Sequence, residues 1–448
     1  MANPRIAVVG SGPSGFYATE ALLRCGLPIA VDMFERLPVP YGLVRFGVAP
    51  DHPKLKQVTA VFERIAAMPG FRYVGGVEVG RDVSIEMLRS SYHAVILATG
   101  ADTGRTMNIP GETLAGCHQA GDFVAWYNGH PDFRDQDFDL SGERAVIVGH
   151  GNVALDVARI LVKTPDELRH TDIAAHALEA IAGSGIREVH IVGRRSLGET
   201  RFSAKELEEF LELADCDPAI DFGDFPDGRL DAPAGEDAEG QTAAAIIARF
   251  AQRPSAKRKR CVFRFGLDPL AICGTTGAER MLFSRRAGAT ATGQAAPVAI
   301  DCSLVIASIG RLATPLAQVP YDERRGVHEN AGGRVTLDGV PVPGVYVCGW
   351  SKRGANGTIG TNRACAAETV EAVLADLACG REPIAADPDL LIEHLSQVRA
   401  PLDFSGWLRI NAEEIRLGKS VGKPRQKLTS IDRMIAAARS AGLDDAID

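Results

Sequence analysis

Residues 5–15 read RIAVVGSGPSG, and this stretch decides the fold class. Its first half, 5–10, is short, continuous, apolar and rich in β-branched residues, the pattern of a strand buried on both faces. The apolar run breaks on a glycine-rich turn. Beyond the turn the pattern is helical from Pro13 to Cys25, with Gly26 as the stop. A second strand is predicted over 29–35 (IAVDMFE), so the chain opens as a βαβ unit. In the turn, Gly10 permits the sharp reversal, Gly12 lets a pyrophosphate approach the backbone, and Gly15 lets helix and strand pack closely. Ser14 lies between the last two of these positions. The helix start offers free N–H groups and a positive dipole end to phosphates. Glu35 follows 20 residues after Gly15, at the end of the second strand, where a carboxylate accepts hydrogen bonds from a ribose. Strand, turn, helix and acid in register point to a dinucleotide, and the position at the beginning of the chain favours FAD over NAD(P).

The same pattern restarts at 144–149 (RAVIVG) with Gly149-His150-Gly151-Asn152-Val153-Ala154, the G-x-G-x-x-A form of the turn. No acid closes the following strand, 188–193. Arg194 and Arg195 stand there instead. A guanidinium at the ribose discriminator attracts a 2′-phosphate and can bind it bidentately, so this second turn is expected to take NADP and disfavour NAD. A third group of signals follows. Ala98-Thr99-Gly100 closes a strand early in the chain, Gly344–Gly349 closes one late, and Gly357-Thr358-Ile359 then opens a helix. Trp350, directly after Gly349, is either a core aromatic or a flavin contact, and its place between strand and helix start favours the flavin. The late return of flavin-type signals predicts an α/β chain of two Rossmann-like dinucleotide-binding domains, with the NADP domain inserted into the FAD domain. The expected bounds are 1–103 and 315–448 for FAD, and 104–314 for NADP.

The remaining chain is consistent with a soluble α/β protein. Apolar and charged residues make up 46% and 24% of the 448, ordinary fractions for a globular chain. The net charge of 49 − 57 = −8 argues against a general nucleic-acid binder. Nine cysteines include no C-x-x-C spacing, so neither an iron–sulfur or zinc ligand set nor a dithiol pair is suggested. No apolar stretch approaches the ~18 residues of a membrane span, and the expected location is the cytoplasm. Helices are predicted over 54–67, 165–184, 203–213, 363–377 and much of 390–448, and strands over 71–79, 93–98, 301–309 and 344–348. Alternating runs at 261–266 and 281–285 suggest antiparallel strands. Residues 36–54, with four prolines, are too irregular for a regular element and unusually apolar for a loop, a combination typical of functional loops. Residues 217–240 are acidic, rich in Gly, Pro and Asp, and the least ordered-looking of the chain.

With these readings in place, a family resemblance becomes visible. The stretches VVGSGPSGFYATEAL (8–22), ERLPVPYGLVRFGVAPDHPK (35–54), VEVGRDV (77–83), VIVGHGNVALDVARIL (146–161), IVGRR (191–195) with KEL (205–207), SIG (308–310), CGWSKRG (348–354) with GTIGTN (357–362), and AEEIRLGKSVGKPRQKL (412–428) are similar, in order and spacing, to the adrenodoxin-reductase-type ferredoxin–NADP⁺ reductases. The resemblance covers the chain except roughly 214–256 and 286–300. It implies FAD contacts at Ser14, Glu35, Leu43, Val79, Trp350 and Gly357 to Ile359. It implies NADP contacts at His150 to Val153, Arg194, Arg195, Glu206 and Gly357. It also implies hydride transfer from NADPH to FAD, single-electron transfer to a ferredoxin-type iron–sulfur protein serving an oxygenase or biosynthetic enzyme, and a monomer. Ser14 stands where relatives commonly have Ala.

His52 and Glu206 match residues that lie near nicotinamide and flavin in such reductases, which makes them the catalytic candidates. A histidine can exchange a proton near neutral pH. His52 could equally serve the turn Asp51-His52-Pro53, and Glu206 could be a solvated helix carboxylate. One departure concerns the partner. Relatives that use small acidic ferredoxins carry an Arg/Lys cluster shortly after the stretch matching Glu206. Here that place holds Glu206–Glu212 and the acidic 221–239, and the nearest basic run is Lys257–Arg260, which could also be a solvated strand entry. Alternatives to a ferredoxin reductase are an FAD/NADPH-dependent monooxygenase and an electron-input subunit of a larger complex. The monooxygenase would show substrate-dependent NADPH use without ferredoxin. The subunit, of the glutamate-synthase kind, carries a Cys-rich cluster domain that this chain lacks.

Overall fold

The computed structural model describes residues 3–200, 202–225, 238–253, 256–285, 296–380 and 387–440. The chain divides into two compact units, Met1–Thr103 with Arg311–Asp448, and Gly104–Gly310.

In the first unit, five parallel strands lie in the order Val340–Val347, Ala94–Leu97, Arg5–Val9, Ala30–Glu35, Phe71–Gly75. Two antiparallel strands, Arg334–Leu337 and Asn330–Ala331, extend the Val340–Val347 edge. The inner strands are covered on both faces, which is why Ile6 to Val9 and Ala94 to Leu97 read as unbroken apolar runs. One face packs under the Pro13–Leu23, Thr59–Ala66, Thr361–Ala378 and Phe404–Ser420 helices, around Phe16, Phe62 and Trp407. The opposite face packs under Ile85–Ser91 and Pro388–Val398 through Leu88, Leu391 and Leu395. The irregular 36–54 segment contains the helical turn Leu43–Phe46 and runs into a second, Pro53–Lys56. Its apolar side chains Leu37, Val39, Tyr41, Val44 and Phe46 join the first core, so the loop is apolar because it is interior.

In the second unit, six strands form a wholly parallel sheet in the order Cys117–Gln119, Leu304–Ala307, Arg144–Val148, Glu188–Gly193, Lys259–Phe265, Cys216–Ile220. The helices Ala120–Tyr127, Asn152–Val162, Ala175–Ala182 and Ala204–Glu212 pack on one face. A three-stranded antiparallel sheet, Leu267–Cys273, Arg280–Arg285 and Val298–Asp301, packs on the other through Met281 and Phe283 against Val146 and Val192.

Two expectations are corrected here. The 280–285 run is antiparallel as expected, but 259–265 is a parallel strand inside the main sheet. Its alternation misleads because Arg264 is buried, not exposed. The guanidinium donates from Nε and Nη2 to Asp224 at 2.7 and 2.9 Å. The acidic 217–240 stretch begins as the strand Cys216–Ile220 and the single turn Phe222–Asp224, and the Ala238–Ala251 helix starts within it. Residues 226–237 of that stretch, and 441–448 of the helical tail, lie outside the described residues. The tail is otherwise Pro388–Val398, Phe404–Ser420 and Ile431–Arg439. Among the described residues no helix is long and apolar enough to cross a membrane.

Candidate functional site

In the first unit the Gly10–Gly15 turn sits at the C-terminal end of the central strand, where open α/β sheets bind ligands. Gly10 has φ +104°, a conformation that side chains disfavour. A Cβ on Gly15 would lie 2.0 Å from the Gly10 carbonyl oxygen, so helix and turn meet backbone to backbone. A Cβ on Gly12 would meet nothing within 4 Å, which leaves the mouth of the turn open. Gly12 is also the N-cap of the Pro13–Leu23 helix and supplies no side-chain cap, so the first-turn N–H groups remain available. Glu35 closes the second strand. Its Oε2 accepts from the Ser11 amide at 3.1 Å and the Ser11 hydroxyl at 2.6 Å, and its Oε1 accepts from the Leu37 amide at 3.1 Å. Three of the roughly four acceptor positions of the carboxylate are thus used for orientation and one remains for a ribose hydroxyl.

The late signals converge on the same turn. The Ser14 hydroxyl donates to Asn362 Oδ1 at 3.0 Å and occupies the space a Cβ on Gly349 would need, at 1.9 Å. Ser14 is therefore a tie between the first helix and the returning chain. Arg353 Nη2 also donates to Asn362 Oδ1, at 2.7 Å. Ser351 Oγ lies 3.0 Å from both Thr99 Oγ1 and the Gly100 carbonyl, which joins the Ala98–Gly100 strand end to the Gly349-Trp350 strand end. Trp350 is half-buried, and its Nε1 donates to the Asn356 carbonyl at 2.9 Å. Gly357 and Thr358 are exposed and Ile359 half-buried, ahead of the Thr361–Ala378 helix. That helix start also lacks a side-chain cap. Leu43 is half-buried on its single turn, whereas Val79 is buried in the second core face, so the backbone of Val79 is what it can offer a ligand. These residues fit a bound dinucleotide: an open glycine cradle, uncapped helix starts and an oriented carboxylate. Asn362 and Arg353 were not singled out from the sequence, although both stand inside the motifs CGWSKRG and GTIGTN.

In the second unit the Gly149–Ala154 turn repeats this geometry. Gly151 is open to 4 Å and caps the Asn152–Val162 helix without a side chain. Asn152 and Val153 are exposed. The His150 ring turns inward, in contact with Gly193 and 5.0 and 5.1 Å from the rings of Phe202 and Phe265. Burial lowers its pKa to about 4, so the ring is neutral at pH 7 and only the backbone here faces the mouth of the turn. Beyond Gly193, Arg194 is exposed and makes no hydrogen bond or ion pair with the described residues. Arg195 is half-buried, with Nη1 3.4 Å from the Glu199 carbonyl. Asn152 Oδ1 accepts from the Ser203 amide at 3.0 Å, and the Ser203 hydroxyl donates to Glu206 Oε2 at 2.7 Å. Glu206, in the first turn of Ala204–Glu212, is thereby tied to the phosphate turn, a link the sequence did not disclose.

His52 belongs to the other unit. It caps the short Pro53–Lys56 turn, and its amide donates to the Ala49 carbonyl at 3.0 Å. The basic run is not a free positive patch. Arg258 pairs with Asp215 at 2.8 Å, Arg260 with Glu188 at 3.6 Å and Lys257 with Asp217 at 3.9 Å, while Lys259 is buried.

The chain is similar to known proteins over nearly its whole length. The family model described as pyridine nucleotide-disulphide oxidoreductase matches residues 4–214. NADPH-ferredoxin reductase FprA of Mycobacterium tuberculosis is 41% identical over 96% of this chain and 98% of its own. The mitochondrial NADPH:adrenodoxin oxidoreductase of Salvelinus fontinalis is 39% identical over 98% of this chain and 92% of its own. The solved structure of M. tuberculosis FprA in complex with NADPH superposes with a TM-score of 0.90 at 38% identity, covering 98% of this chain and all of that one. The chain belongs to the adrenodoxin-reductase-type ferredoxin–NADP⁺ reductases.

Proposed function

We propose that this chain is an FAD-containing oxidoreductase that oxidises NADPH and passes electrons singly to a ferredoxin-type iron–sulfur protein, which serves an oxygenase or biosynthetic enzyme. The observation that carries the reading is the pair of phosphate turns with opposite discriminators, Glu35 after one and Arg194-Arg195 after the other. We assign FAD to the Met1–Thr103/Arg311–Asp448 unit and NADP to the Gly104–Gly310 unit. Bound FAD supplies a two-electron acceptor that can release electrons one at a time, chemistry that no side chain provides. The protein binds and orients. Gly12 and Gly151 admit the two pyrophosphates to uncapped helix starts. Glu35 receives a ribose, and the two arginines receive a 2′-phosphate. We assign Glu206, a carboxylate of the NADP unit linked through Ser203 to Asn152, and His52, an imidazole of the FAD unit, as the catalytic candidates. We further assign a monomer, on the strength of the family resemblance, and keep the cytoplasm as the expected location.

The test is steady-state reduction of cytochrome c by the purified protein with NADPH or NADH, with and without a [2Fe–2S] ferredoxin. A yellow protein with a strong NADPH preference and a large ferredoxin-dependent rate is expected. A colourless protein would overturn the FAD assignment. NADPH oxidation that no ferredoxin stimulates would overturn the partner.

A further inference from the structure

The tail stretch 412–428 has no part in either phosphate turn, yet the structure connects it to the loop over the first. We propose that Glu414 is a positioning residue for the FAD site, holding the 41–47 loop over the first phosphate turn through Arg45. This rests on the FAD assignment above and adds a determinant to it.

The loop lies directly on the turn. The Tyr41 amide donates to the Ser11 carbonyl at 3.0 Å. Gly42, at φ +47°, approaches so closely that a Cβ on it would stand 3.2 Å from Gly12 Cα. Gly42 caps the Leu43–Phe46 turn, so a rotation of that turn moves Leu43 and the roof over Gly12 together.

Arg45 sets that rotation. Its side chain is 3% exposed and Glu414 is fully buried. Both guanidinium Nη atoms donate to the Glu414 carboxylate, Nη1 to Oε2 at 2.9 Å and Nη2 to Oε1. The same carboxylate accepts from Arg425 Nη1 at 3.3 Å and the Leu428 amide at 2.9 Å. Its four acceptor positions are thereby filled. Lys427 Nζ donates to the Arg45 carbonyl at 3.2 Å. Two turns earlier on the same Phe404–Ser420 helix, Trp407 reaches the loop as well. Its Nε1 donates to Tyr41 Oη at 3.2 Å, and its ring centroid lies 5.2 Å from the Arg45 guanidinium. The helix therefore grips the loop at Tyr41 and Arg45, the residues flanking Gly42 and Leu43.

A buried ion pair is a poor device for stability alone, because apolar residues of similar volume commonly do as well. What a bidentate fork adds is orientation in a fixed plane. Apolar contact would keep the loop in the core without fixing which way Leu43 and Gly42 face.

The test compares Glu414→Gln, Arg45→Lys and Met434→Ala holoproteins. Arg45→Lys keeps the charge and loses the fork. Met434 is buried on the Ile431–Arg439 helix, which packs on the Phe404–Ser420 helix, so its truncation loosens the same region without removing a hydrogen-bond partner of Arg45 or Glu414. Measured are the rate of FAD release on dilution, the visible flavin spectrum and the melting temperature. Glu414→Gln and Arg45→Lys are expected to release FAD at least tenfold faster and to shift the flavin bands, with Arg45→Lys deciding the matter if Glu414→Gln does not fold. Met434→Ala is expected to lower the melting temperature with wild-type release and spectrum. Release within twofold of wild type for Arg45→Lys, or Met434→Ala losing flavin as readily at equal melting temperature, would overturn the proposal. A wild-type protein without FAD would overturn the cofactor assignment instead.

Discussion

Replacing Arg194 and Arg195 by Ser tests the coenzyme assignment at the atoms that distinguish NADPH from NADH. Arg194 is exposed and uncommitted among the described residues, and Arg195 spends one donor on the Glu199 carbonyl at 3.4 Å. A hydrogen bond to a charged group contributes roughly 1.5–3 kcal/mol, and solvent exposure brings Arg194 to the lower end or below it. About 1–2 kcal/mol per arginine follows. At about 1.4 kcal/mol per tenfold, Arg194→Ser should lower kcat/KM for NADPH by about 5- to 30-fold, and the double variant by about 30- to 1000-fold. The contact is far from the reacting carbon and equal in ground and transition states, so the loss should appear in KM with kcat nearly unchanged. NADH lacks the 2′-phosphate, and its kcat/KM should stay within about twofold, since no contact is removed. The assay is dye reduction with both coenzymes at two ionic strengths. Added salt should raise KM for NADPH in the wild type and much less in the double variant. Parallel losses for NADH and NADPH would refute the reasoning, because they would mean that the arginines support the fold or the common part of the coenzyme.

Three further outcomes are expected. Gly15→Ala forces a Cβ to within 2.0 Å of the Gly10 carbonyl, so the turn must open at a cost of about 2–3 kcal/mol, read as loss of retained flavin absorbance together with a lower melting temperature. Ser14→Ala removes one buried hydrogen bond, but Arg353 still donates to Asn362 Oδ1, so the cost should be about 1 kcal/mol, with flavin content unchanged in the purified protein. His150 has a folded pKa lowered by burial to about 4 from 6.5, so the unfolded chain binds more protons between those values. The stabilisation is complete above about pH 6.5 and is lost as pH falls toward 4, at most about 3 kcal/mol. Urea unfolding at pH 7.5 and 4.5 should show a smaller loss in His150→Gln than in the wild type, the remainder coming from His93, His118, His176 and His328, whose pKa values burial also lowers.

What could be read from the sequence was whatever depends on neighbours along the chain. Gly10, Gly12 and Gly15, and later Gly149 and Gly151, are recognisable because turn, cap and helix packing are set within six residues. The discriminators Glu35 and Arg194 are recognisable because each stands at the end of the strand that follows its phosphate turn, whatever the length of chain between them. What escaped depended on partners remote in sequence. Arg264 looked like the exposed position of an alternating strand because Asp224, 40 residues earlier, could not be seen to bury it. Lys257–Arg260 could be read as a basic patch or as a solvated strand entry, because its partners Asp215, Asp217 and Glu188 lie on or next to neighbouring strands, remote in sequence. The loop 36–54 looked both functional and strangely apolar, and the carboxylate that holds it lies 369 residues from Arg45. His150 matched a binding position, but the packing of its ring against Gly193, Phe202 and Phe265 is a tertiary fact.

The two turns share one geometry but are prepared differently for their ligands, and the difference separates a resident cofactor from an exchanging one. Glu35 is already held by three hydrogen bonds from Ser11 and Leu37, and the loop above the first turn is anchored at Tyr41 and Arg45. Binding there orders little that is not already ordered, so the intrinsic contacts appear as affinity with small entropic loss. At the second turn the discriminating side chain is an exposed arginine that must give up rotamer freedom when a 2′-phosphate arrives, about 0.5–1.5 kcal/mol for such a side chain. The expected consequence is a protein that keeps FAD through gel filtration at nanomolar dilution but releases NADP⁺ within each turnover. Isothermal titration with NADP⁺ should give a micromolar dissociation constant that rises with salt. Flavin lost on gel filtration while NADP⁺ co-purifies would reverse the assignment of the two turns, since the preorganised site would then be the one that lets its ligand go.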